Sequence, residues 1–447
     1  MGIQLTADQV LTMAPDASSS AAGKKLANAK NWKNLGQSPE ALWGECQGSA
    51  LYQVRVDLSS LTIQCSCPSR KLPCKHGLGL LLLAVNTPST VPTTEPPEWI
   101  TAWLAKRAAT SKRKEAKTEA KEPASSESDA GRLNSKQAAA QKKTAEKRLS
   151  QVTMGIDRLD LWLNDIVRNG LGKLETQPAK FWASQKALME DAQAKGLANR
   201  VARMADIPNS SPDWPEKLLA HLGQLALLTQ AFRRLDQLDP ALQEDVRQLI
   251  GWSLKEDEVI MRGEKVTDNW LILGQTTEDE DRGRSQRTWL LGTTSKRQAL
   301  LLQFSFAGAA FAEQYPIGIQ QTADLVFWPG AAPHRAILTA RRGDVSAITE
   351  SFPTAETIED FFEEMATTLA HQPWRDRFLC TLHNVIPFCT GDQWYICDSN
   401  NQMLPLVEEH WKLMALAGGW PVDFVGEWDG EALLPLGMLA DHKYHAL

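Results

Sequence analysis

Cys65-Ser-Cys67-Pro-Ser-Arg70-Lys71-Leu-Pro-Cys74-Lys75-His76 sets three cysteines and one histidine within a dozen residues, in the order C-x-C-x6-C-x-H. A Cys3His set is a complete tetrahedral shell for Zn²⁺. Thiolates and imidazole select zinc over magnesium or calcium. With Cys65, Cys67, Cys74 and His76 filling all four places, no position is left for a substrate or an activated water. Such a site is structural, not catalytic. A disulfide or a set of buried free thiols is the plainer alternative, but neither needs His76.

The flanks agree with a small metal-stabilised ββα finger. Leu51–Leu58 alternates like a half-buried strand, and Leu61–Gln64 reads as a second strand that delivers Cys65 and Cys67. Pro68-Ser69 supplies a turn. From His76 the run Gly77-Leu-Gly79-Leu-Leu-Leu-Leu-Ala-Val85 reads as a helix, with Cys74 and His76 at its N-terminus, where the helix dipole favours a thiolate.

This order of strands, Cys-x-Cys, Cys-x-His and helix resembles the SWIM-type zinc finger. The wording Trp43-Gly-Glu-Cys46-Gln-Gly-Ser49, followed by the ligand stretch and its leucine run, is similar to bacterial SWIM finger proteins of about this size. The likeness covers roughly residues 5–85, with a short echo at Gly426-Glu-Trp428-Asp-Gly430 through Pro435-Leu-Gly437. It implies that Cys65, Cys67, Cys74 and His76 are the zinc ligands. It also implies a protein-interaction or DNA-binding role. Proteins of this type resemble companions of AAA-type ATPases and von Willebrand factor A-domain proteins, so partners of those kinds are implied.

At 447 residues the chain exceeds one ordinary core, and an α+β multidomain protein is expected. The expected division is an N-terminal domain over 1–104 with the finger at 43–86, a basic low-complexity linker over 105–148, a helical domain over 149–254 and a mixed antiparallel α+β domain over 255–447. The linker holds 13 Lys or Arg against 6 Asp or Glu within a chain of net charge -6, and almost no large apolar residue that would offset its ordering entropy. Helical spacing marks the next segment: Leu149, Val152, Ile156, Leu159, Leu163 and Ile166, then Leu218, Leu222, Leu225, Leu228 and Phe232. Beyond 255 the period shortens to that of strands at 269–274, 287–292, 299–306, 324–328 and 336–341, with a hairpin across 289–301 and a solvated acidic tip at Glu278–Asp281. A helix over 355–372, strands at 378–388 and 394–398, a helix over 407–417 and short closing strands follow.

Recognition has two candidate surfaces. Arg70, Lys71 and Lys75 lie inside the metal loop, where cations either offset the formal charge of a Cys3His site or contact a partner or a phosphate. Lys24 and Lys25 form a second basic group near Trp32, readable as a phosphate-and-base surface or as a solvated face beside a packed indole. Protein docking and nucleic-acid binding both stay open on these residues. Enzymes are not indicated: the phosphate-loop, dinucleotide, nucleophile-elbow and zincin patterns are absent, and an unassigned hydrolase in the C-terminal half is the weakest reading. Cys380, His383, Cys389 and Cys397 match no zinc spacing. No small-molecule substrate is indicated. Met1–Asp8 has no leader pattern, and no apolar run approaches the ~20 residues of a membrane span. Seven cysteines then point to a reducing cytoplasmic setting.

Overall fold

The structure, a computed structural model, describes residues 5–107 and 130–447, except 49, 60, 70, 281–282, 307–310, 312 and 408–409. The chain is a mixed α+β protein with three antiparallel sheets. No described helix is long and apolar enough to cross a membrane.

The N-terminal unit begins with α1 (Ala7–Thr12) and α2 (Ala17–Leu26). Thr6 and Gln9 close a capping box on α1, and Asp16 caps α2 by accepting from Ser19 N at 2.7 Å. Four strands follow as a meander: β1 (Trp32–Gln37), β2 (Ala41–Gln47), β3 (Leu51–Asp57) and β4 (Thr62–Cys65). Of these, β3 and β4 are the strands expected before the metal loop. Lys33-Asn-Leu-Gly-Gln37 is a polar edge strand with no clear alternation, so β1 and its partner β2 escape a pattern search. The leucine-rich helix is α3 (Lys75–Asn86), and α4 covers 98–107. Ile100 of α4 packs on Ala41 and Trp43 of the finger's sheet.

Residues 130–148, placed in the 105–148 linker, are helical and lead into the bundle as the first part of α5 (Ala130–Asn169). Ala, Lys, Glu and Gln are strong helix formers, so a segment too polar to build a core still continues a helix that is anchored further on. The rest of the expected linker, from 108 to 129, lies outside the described residues. α6 (Ala179–Asp191), α7 (Lys195–Met204), α8 (Trp214–Arg233) and α9 (Pro240–Ile250) pack with α5 around Val152, Ile156, Leu159, Leu218, Leu222 and Leu225; α10 (Glu256–Arg262) follows.

Two sheets fill the C-terminal half. The first has the order β7-β6-β5-β8-β9, built from β5 (Lys265–Glu280), β6 (Gly283–Gly292), β7 (Gln298–Phe306), β8 (Ile319–Phe327) and β9 (Ala336–Ala347). Glu278–Glu280 were expected in a solvated tip. They are exposed as expected, but they extend β5 and pair with β6 where a loop was expected, and Glu278 is tied to Arg287 at 2.7 and 2.8 Å; Asp281 lies outside the described residues. After α11 (Ile358–His371) come β10 (Phe378–Thr390), β11 (Gln393–Cys397), β12 (Met403–Pro405), α12 (Trp411–Ala417), β13 (Val422–Trp428), β14 (Leu433–Ala440) and β15 (Lys443–Ala446). The second sheet has the order β12-β11-β10-β13-β14-β15.

The five-stranded sheet is buried on both faces. Successive strand residues point to opposite sides. Trp270 and Ile272 join Leu290, Ala299 and Leu301 in a core shared with Leu42, Val54, Ile63, Leu78 and Leu81 of the N-terminal unit. Leu271 and Leu273 join Trp289, Leu291 and Leu300 against Leu379, Val425 and Leu436 of the six-stranded sheet. Hence the unbroken apolar run Trp270-Leu-Ile-Leu273, where a one-sided strand would alternate. Gln9 Nε2 donates to Gly318 O at 2.7 Å and Gln321 Nε2 to Ser59 O at 2.9 Å across the same junction. In the folded chain the finger rests on a whole sheet.

Candidate metal centre

Strand β4 ends at Cys65. Ser66 then continues the pairing with β3: its N donates to Gln53 O at 3.0 Å, and its hydroxyl accepts from Gln53 N at 2.9 Å. With Ser66 fixed, Cys65 and Cys67 are two apart on extended chain and share a face. Cys74 is the N-cap of α3, and His76 sits in its first turn. The helix is pressed close to β4 and to α2 by its small residues. A Cβ at Gly77 would lie 2.3 Å from Ile63 Cγ2, and one at Gly79 would lie 2.7 Å from Leu26 Cβ.

These elements bring one ligand atom from each of Cys65, Cys67, Cys74 and His76 within 4.8 Å of one another. His76 Nδ1 is 3.8 Å from Cys65 Sγ and 3.9 Å from Cys74 Sγ. A tetrahedral zinc with its usual bond lengths needs edges of roughly 3.6–3.8 Å, so the four residues fit the ion. Cys74 and His76 are buried, and Cys65 and Cys67 half-buried. The His76 ring packs on Tyr52, centroids 4.9 Å apart. The Cys74 thiol is driven down to about 4, first by the hydrogen bond from Cys65, with His76 and the Gly77 amide adding to it. Cys65 is pushed up by the same bond and by burial. One thiolate is therefore ready at the helix N-terminus, and the chemistry is that of a thiolate-rich zinc site. Among the described residues no other group of three or more His, Cys, Asp or Glu converges in this way. His383 instead bonds Asp423 Oδ1 at 2.6 Å, and Cys380 is buried.

Beside the centre lies a cleft of about 440 Å³ between α2 and the metal loop. Lys71 and Lys75 line it, with Ser18, Ser19 and Tyr52. Lys71 Nζ is 2.6 Å from Asp16 Oδ2 and holds that carboxyl well below its usual range. Lys75 is exposed. Lys24 and Lys25, in the last turn of α2, are exposed outside this cleft, and Arg70 lies outside the described residues. Trp32 is buried and donates through Nε1 to Leu26 O at 2.8 Å, so it is the packed indole of the two readings. Sequence reasoning did not single out Asp16, Ser18, Ser19 or Tyr52 for this cleft. Asp16 was open to recognition as a helix cap; the others carry no local signal.

Residues 52–84 match the family model of the SWIM zinc finger. Residues 147–250, from within α5 to the end of α9, match that of the SWIM-associated four-helix bundle domain. No curated protein and no solved structure matches the chain. The converging Cys3His set and these two matches lead to one statement: the chain carries a SWIM zinc finger, together with the helical bundle domain associated with it.

Proposed function

We propose that the protein is a non-enzymatic, cytoplasmic docking subunit whose zinc finger engages a protein partner, in an assembly with an AAA-type ATPase and a von Willebrand factor A-domain protein. The cleft beside the metal centre carries this reading. A closed Cys3His shell holds a shape and leaves no position for a reacting molecule. Lys71 already grips a carboxylate there, that of Asp16 at 2.6 Å, and Lys75 is exposed beside it. An acidic side chain of a partner competes for the place of Asp16. The exchange is undemanding because an exposed ion pair contributes little. The burial of Trp32 counts against nucleic acid, since the Lys24–Lys25 surface then lacks that indole as a stacking platform.

The test is a titration of purified AAA-type ATPase and von Willebrand factor A-domain proteins from the same source against the zinc-loaded chain, with labelled duplex DNA in parallel. Binding to either protein that falls with Lys71→Glu and Lys75→Glu supports the reading. Binding only to DNA, weakening with salt at a slope near -0.9 per neutralised phosphate, replaces it with a nucleic-acid function.

A further inference from the structure

Far from the finger in sequence, the β6–β7 turn, the loop after β8, α11 and the start of β10 enclose a second cleft of about 440 Å³. That lies within the roughly 300–1,000 Å³ usual for small-molecule sites. Arg375 lines it. Its Nε donates to Arg377 O at 3.1 Å and its Nη2 to Gln298 Oε1 at 3.2 Å, while the guanidinium lies 4.7 Å from the Phe378 ring centroid. Among the described residues no carboxylate forms an ion pair with it. Burial pushes it down to about 10. Asp376, the next residue, acts against that fall without forming an ion pair with it, and a half-buried guanidinium left without such a pair is a ready receptor for an anion.

The other charges around the cleft leave that role open. Arg297 is taken up by Glu264 at 2.5 Å and lies 4.1 Å from the Phe327 ring centroid. His334 is stacked on Trp289 and kept neutral by burial, its pKa pushed down to about 3. Glu364 is raised by burial, with Lys296 acting against the rise. Lys296 is exposed on the turn and adds a second cation to the rim. The walls are already in place. Ala331 N and Gln372 Nε2 both donate to Asp245 of α9, at 2.7 and 2.9 Å, and Trp374 is buried in the bundle core. Such preorganisation lowers the cost of binding.

We infer that this cleft binds a small oxyanion-bearing molecule, a phosphate or a carboxylate, with Arg375 as its principal contact and Lys296 as its second. The experiment is isothermal titration calorimetry of the full zinc-loaded chain with inorganic phosphate and with succinate, at constant ionic strength in chloride. Saturable binding of one or both is expected, and which one binds identifies the oxyanion. Arg375→Gln weakens it by roughly tenfold or more, the loss expected for charge-assisted hydrogen bonds. Lys296→Gln weakens it less. Should Arg375→Gln fail to fold, the exposed Lys296→Gln decides. No saturable heat with either anion at millimolar concentration, or binding unchanged in the variants, overturns the inference.

Discussion

Trp289 Nε1 donates to Glu427 Oε2 at 2.6 Å, and both residues are buried. The bond joins β6 of one sheet to β13 of the other. Glu427 also accepts from Arg377 Nη1 at 2.8 Å and Arg287 Nη2 at 3.1 Å, and Arg287 reaches on to Glu278. One carboxylate thus gathers two arginines and an indole between two apolar sheets. Removing one partner of a buried charge network leaves the others unpaired. Glu427→Ala is therefore expected to cost roughly 3–5 kcal/mol, read as a shift of the denaturant midpoint.

Gly77→Ala reverses an ordinary rule. Alanine in a helix interior is normally better than glycine by about 1 kcal/mol. At this position the new Cβ would meet Ile63 Cγ2 at 2.3 Å, and a β-branched side chain cannot swing that methyl aside freely. The substitution is expected to lower the melting temperature and to weaken zinc retention, because Gly77 adjoins His76. A gain in stability would show that α3 can move off β4.

Much of this arrangement was legible in the sequence, for stated reasons. The C-x-C and C-x-H spacings and the leucine run after His76 announce the finger, since metal ligands and a buried helix leave local marks. The heptad-like leucines of α5 and α8 do the same for the bundle. Trp270–Leu273 was readable as a strand, but its burial on both faces was not. That depends on which elements cover each side, and those elements lie hundreds of residues away. Asp16 meets Lys71, Arg375 meets Gln298, and Trp374 enters the bundle through tertiary contacts that no spacing rule encodes. That residues 130–148 form the first part of α5 was not legible, because composition speaks to core formation and not to helix continuation.

Asp245 sets a pH dependence at the junction of bundle and sheets. Burial raises its carboxyl to about 6, against the hydrogen bonds from Ala331 and Gln372. A raised acid binds its proton more tightly in the folded chain than in the unfolded one. Its contribution is therefore most favourable below pH 4 and is lost as pH rises from about 4 to 6. Asp245→Asn is expected to flatten the pH dependence of unfolding over that window and to match or exceed the natural chain in stability at pH 7. The difference between the two unfolding profiles isolates this group from the other carboxylates.

Loss of the metal should reach beyond the finger. Leu42, Val54, Ile63 and Leu78 share one core with Trp270, Ile272 and Leu301. Unfolding the metal loop and α3 then uncovers one face of the five-stranded sheet. Hydrogen exchange after chelation is expected to rise in β5 and β7 as well as in β3 and β4. The bundle core around Leu218 and Leu225 should keep its protection.

The most direct measurement is the zinc content of the purified chain and of Cys74→Ser by plasma mass spectrometry. One zinc per chain in the natural protein, and almost none in the variant, is the result the Cys65–Cys67–Cys74–His76 centre predicts. A natural chain purified without zinc, or a variant that keeps its full zinc, would contradict it.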